Sequence, residues 1–217
     1  MTVDSDRLID GLVDDLEPVK PLPPLRSAFA IVLAVWAAVL GVVLWSQSYP
    51  PGANHLLMDR VYLVSFVGLL LSALGATLST LAGSRPGRDG LETSSLIVSF
   101  VGLVVAAGVC VYGIIGLGLD APAPPGADAM CFQKGAFLSL LPGGVILSFL
   151  VRGWASHPIR AALLGLVAAG AIGASIVHLS CDFLGPAHLM AGHMSVPIAL
   201  AIVGLYPLGV LLRRVRG

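Results

Sequence analysis

"AALLGLVAAGAIGASIVHLSC", residues 161–181, runs for 21 residues without a charge. A helix needs about 20 apolar residues to cross the hydrocarbon core of a bilayer. The stretch is long enough to span, and its alternative is a buried helix of a soluble core. The rest of the chain decides against that alternative. Of 217 residues, 57% are hydrophobic and 11% are charged, whereas a soluble domain carries about 25% charged residues. Charge-poor runs predict six spans at about 27–47, 61–82, 94–118, 135–152, 161–181 and 187–212, the fourth being the shortest. The expected fold is all-α: a polytopic bundle of six transmembrane helices over residues 26–217, preceded by a tail over residues 1–25.

Six spans place both termini on one side. Arg7, Lys20, Arg26, Arg85, Arg88, Arg152, Arg160, Arg213, Arg214 and Arg216 fall on that side, and Arg60 and Lys134 on the other. Basic residues stay in the cytoplasm, so both termini are expected there, and a bacterial inner membrane fits. The leading segment "MTVDSDRLIDGLVDDLEPVK" is acidic where a signal peptide would be basic, so the first span is expected to be retained. Net charge is zero, which suggests no direct nucleic-acid partner; the surroundings expected for the spans are membrane lipid.

Small residues let helices approach closely in lipid. Gly165, Ala169 and Gly173 in the fifth span, and Ala30, Ala34 and Ala38 in the first, form such stripes. Gly108 and Gly113 flank Cys110, which reads as a small apolar filler. Pro142-Gly143-Gly144 is expected to bend the fourth span, and Pro197 and Pro207 to disturb the sixth. Breaks of this kind also occur in transporters. No predicted span carries a buried acid or base, which ion-coupled transport usually needs.

The fifth span ends in "HLSCDFLGPAH", which with "LMAGH" gathers His178, Cys181, His188 and His193. His178 and Cys181 are three residues apart and share a helix face. Gly185-Pro186 reads as a helix start, putting His188 in the first turn of the sixth span. His193, five residues on, falls deeper and on a different face of an α-helix. Cys131 is expected in the outer loop just before the fourth span. Cys131, Cys181, His178 and His188 are thus placed to approach one another. Two thiolates and two imidazoles suit zinc or another soft metal, held transiently; a disulfide between the two cysteines is the other reading. No cofactor is otherwise indicated. Without a Cys-x-x-Cys pair, a Ser/His/Asp set or paired carboxylates, the sequence does not read as an enzyme.

In the tail, Leu8, Ile9, Leu12, Val13 and Leu16 repeat with helical period, beside Asp6, Asp10, Asp14, Asp15 and Glu17. An acidic amphipathic helix avoids the anionic inner leaflet, so its apolar stripe seeks a protein groove with a basic rim. Packing on the chain's own inner loops is the alternative. Pro18, Pro21, Pro23 and Pro24 end the helix and stiffen the step into the first span.

"LIDGLVDDLEPVKPLPPLR", Cys131 ahead of the fourth span and "HLSCDFLGPAHLMAGH" between the last two spans together resemble the NrsF-type family of six-span bacterial membrane anti-sigma factors. The resemblance covers nearly the whole chain. It implies that the tail binds an extracytoplasmic-function (ECF) sigma factor and holds it inactive. It also implies that Cys131 and Cys181 sense a stress signal, for example metal or oxidation. One departure stands out: Gly192 occupies a position beside His193 where the pattern carries an aromatic, which leaves the role of His193 open. A small transporter or metal-handling inner-membrane protein is the competing reading.

Overall fold

The computed structural model describes residues 21–46, 59–116, 123–153, 155, 157–183 and 185–214. The tail stripe of Leu8, Ile9, Leu12, Val13 and Leu16 lies outside the described residues. Those described form helices, and no strand occurs among them. In order they are α1 (Leu25–Ser46), α2 (Arg60–Gly83), α3 (Asp89–Gly116), α4 (Ala127–Leu138), α5 (Leu140–Arg152) and α6 (Pro158–Leu179). The last span opens as one α-turn (Pro186–His188), passes through a π-helical turn (Leu189–Met194) and continues as α7 (Ser195–Arg214). Six helical stretches, with α4–α5 and Pro186–Leu212 each counted as one, are long and apolar enough to cross a membrane.

α6, which carries most of the charge-free stretch, is the axis of the bundle. Its small residues admit neighbours to backbone distance. A Cβ on Gly173 would collide with Gly135 O and Ser139 Oγ, and one on Gly170 would lie 2.5 Å from Pro197 Cα. α2 and α3 pack in the same way through Gly68 and Gly102, where a Cβ on either would lie 2.6 Å from the other's carbonyl oxygen. Polar side chains on these faces bond backbone carbonyls. Ser65 donates to Tyr62 O (2.9 Å), Thr80 to Ala76 O (2.7 Å) and Ser79 across to Glu92 O (2.8 Å). Large apolar side chains face outward instead, among them Phe100, Ile115, Ile202 and Val203.

Several expectations are corrected. The α1 stripe Ala30, Ala34 and Ala38 is exposed; α1 packs through Ala28, Val32, Phe29 and Trp36, because the bulkier face reaches the groove beside α5 and α6. Gly108 meets no neighbour, whereas Gly113 receives the Pro186 ring. α3 begins five residues before its apolar run and carries buried Glu92, whose Oε1 pairs with Arg160 Nε at 3.0 Å. The fourth span begins at Ala127 and breaks at Ser139. Pro142 has no N–H for the Leu138 carbonyl, so the break falls one turn ahead of it. Cys131 therefore lies on a helix and not in a loop.

The six long helical stretches alternate in direction. Ser84, Gly153 and the root of the tail meet at one end, where Arg85 Nη2 donates to Pro23 O at 3.0 Å. Leu22, Pro23 and Pro24 line a pocket of about 440 Å³ there with Arg85, Arg88 and Arg152. Tyr62, Cys131 and Cys181 gather at the other end. The 24 residues of α2 separate the two ends by about 36 Å at 1.5 Å per residue.

Candidate functional site

Three elements converge at the Cys131 end. α4 contributes Asp128 and Cys131. The link after α6 contributes Cys181, and the last span His188 and His193. Cys131 Sγ and Cys181 Sγ are 3.7 Å apart, and both thiols are free. Cys181 Sγ is 3.3 Å from His188 Nε2. His188 and His193 both flank the Cys131 thiol. One donor atom from each of Cys131, Cys181, His188 and His193 falls within a 4.8 Å cluster. The Cys181 thiol, outside the spans, is pushed above the ordinary thiol range by its contact with Cys131 and by burial.

Local sequence explains the convergence. Gly126, at φ 85°, turns the chain into α4. Gly192 leaves room for α4: a Cβ there would lie 3.2 Å from Cys131 Cβ and 3.3 Å from His188 Cε1. Even a methyl there would require those neighbours to give by a few tenths of an ångström. The π-helical turn completes the set. An α-helix rotates 100° per residue, so His188 and His193 would lie about 140° apart. A π-turn adds roughly one residue per turn and brings the rings onto one side, with centroids 5.2 Å apart. Ser195 N bonds Met190 O in this turn, and Pro197 follows it without an N–H to offer the His193 carbonyl.

Behind the four donors lies a polar chain. His188 Nδ1 is 2.5 Å from Asp128 Oδ1. That carboxylate accepts the hydrogen bond of Nδ1–H and leaves Nε2 facing Cys181. His178 Nε2 lies 3.2 Å from Tyr62 O, an acceptor only, and 3.4 Å from Ser65 Oγ, whose hydrogen goes to Tyr62 O, so Nε2 carries the hydrogen. Its Nδ1 then accepts from His193 Nδ1 at 2.9 Å. The His193 Nε2 that remains is fully buried and has no hydrogen-bond partner. The Tyr62 hydroxyl closes the network on the His178 carbonyl.

Of the residues singled out from sequence, Cys131, Cys181 and His188 meet. His178 stands one ring behind them, and His193 occupies the place assigned to it. The α-helical period assumed for "HLMAGH" hid His193, and the only signal of the π-turn is Pro197 downstream. Asp128 was not anticipated, since 60 residues separate it from His188. Cys110 is buried among Tyr62 and Leu189, consistent with packing.

The family model for NrsF, negative regulator of sigma F, matches residues 12–213, and the chain belongs to that family. The family name makes the chain a negative regulator with a sigma factor as its partner. No curated protein and no solved structure matched the chain.

Proposed function

We propose that this chain is an inner-membrane anti-sigma factor that sequesters an ECF sigma factor through its tail. Release follows a signal received at Cys131 and Cys181. The observation that carries this reading is the Cys131–Cys181 contact at 3.7 Å, at the end of the bundle opposite the tail root. Six apolar stretches and an apolar outer surface support a bundle set in lipid. The one-sided distribution of basic residues supports both termini in the cytoplasm. The stripe of Leu8, Ile9, Leu12, Val13 and Leu16 supplies the apolar anchors. The neighbouring acids oppose the basic surfaces with which sigma factors hold DNA.

Co-purification tests the reading. The full chain extracted in detergent should bring a small ECF sigma factor with it, and a chain of residues 21–217 should not. Equal recovery with both chains would remove the tail from the interface.

A further inference from the structure

We propose that Cys131, Cys181, His188 and His193 form a Cys2His2 site for one zinc-class dication. The inference rests on the reading of the thiol pair as the input and names what that input holds.

Three observations carry it. The first is spacing. Zinc takes thiolate sulfur at about 2.3 Å and imidazole nitrogen at about 2.0–2.1 Å in a tetrahedron, so its ligands are separated by about 3.8 Å (S to S) and about 3.6 Å (S to N). The two sulfurs here are 3.7 Å apart, and Cys181 Sγ lies 3.3 Å from His188 Nε2. The four donors need only close around a centre they already surround.

The second is the orphaned nitrogen. A fully buried imidazole nitrogen without a partner, His193 Nε2, costs free energy unless a ligand uses it. Its lone pair is the one the His178 contact leaves available, beside the Cys131 thiol.

The third is support from behind. Metal-bound histidines usually donate their second N–H to a carboxylate or another acceptor, which fixes tautomer and ring orientation. His188 donates to Asp128 and His193 to His178, which leaves Nε2 of each ring as the nitrogen free to bind. Asp128 and His178 are positioning residues in this arrangement.

Charge balances as well. As the dication enters, each thiol loses its proton to solvent and both imidazoles bind neutral. Two thiolates cancel the 2+ charge, and a buried site without net charge avoids the cost of an unpaired ion. Occupancy ties α4, the link after α6 and the last span to one centre. Loading or losing the ion therefore changes how three elements are held together.

The test uses the full chain, reduced and purified in detergent, titrated with Zn2+ against a chromophoric chelator. One equivalent should bind. Cys131→Ser and His193→Gln should each weaken binding by at least about 100-fold, and Asp128→Asn by about 10–100-fold. His157→Gln should leave it unchanged. Co2+ bound to the unaltered chain should give a thiolate charge-transfer band and the intense visible bands of a tetrahedral site. This readout does not depend on any variant folding. Absence of stoichiometric binding would overturn the site, as would a cobalt spectrum without thiolate bands or affinity indifferent to His193→Gln. No sigma factor is present, so failure here would leave the tail interface to its own test.

Discussion

His178 Nδ1 and His193 Nδ1 lie 2.9 Å apart, and this contact sets the tautomer of both rings. Tyr62 O holds the proton on His178 Nε2, His178 accepts from His193, and His193 is left with a bare Nε2. His178→Leu should leave the His193 N–H buried without an acceptor, at a cost of about 1–3 kcal/mol. Thermal unfolding in detergent should show the loss. Zinc affinity should fall by about 10–100-fold although His178 touches no metal. Unchanged affinity would show that the contact does not orient His193.

The thiol pair should be oxidisable within one chain. Diamide, reduced to its hydrazine, would take the two thiol hydrogens as the Cys131–Cys181 bond forms. Mass spectrometry of the digested protein should find that cross-link and leave Cys110 as a free thiol. Bound zinc should slow the reaction. In cells, the Cys131→Ser, Cys181→Ser double variant should lose the response to the signal, and Cys110→Ala should keep it.

Six long apolar helical stretches were legible because the gaps between Arg, Lys, Asp and Glu mark them. Boundaries were not. Glu92 sits inside α3 because Arg160 neutralises it, and Cys131 sits on α4 because the helix begins at Ala127, ahead of the apolar run. The site was half legible. Cys131, Cys181 and His188 could be brought together by topology alone. His193 needed a π-turn, and Asp128 needed the tertiary approach of α4 to Gly192; neither leaves a periodic trace. The Ala30, Ala34 and Ala38 stripe misled because small residues permit close packing without requiring it.

Gly173 holds α4 against α6, and so places Cys131. Gly173→Ala should drive a methyl into Gly135 O and Ser139 Oγ and destabilise the fold by about 1–3 kcal/mol. Gly108→Ala, with open space around it, should not destabilise. Thermal unfolding of the two variants side by side checks the contrast.

Membrane sidedness has its own expected outcome. A reporter fused after Gly217 should be active only in the cytoplasm, and one inserted near Pro124 only outside. Both reporting from one side would move the cysteine cluster away from the proposed input.

Tail contacts should be sensitive to a single charge. Burying a Leu side chain contributes roughly 1.5–3 kcal/mol, so Leu12→Asp should weaken sigma-factor binding by at least about 10-fold. Titration of the detergent-solubilised complex measures it, and unaltered affinity would place Leu12 outside the interface.

The most direct measurement is transcription from a promoter of the partner sigma factor, in unstressed cells whose only copy of this protein is residues 21–217. The account predicts full expression without any signal, equal to that of cells lacking the protein. Repression as strong as that of the full chain, with the shortened protein inserted at normal level, would contradict it and move the inhibitory surface to the end that carries Arg85 and Arg152.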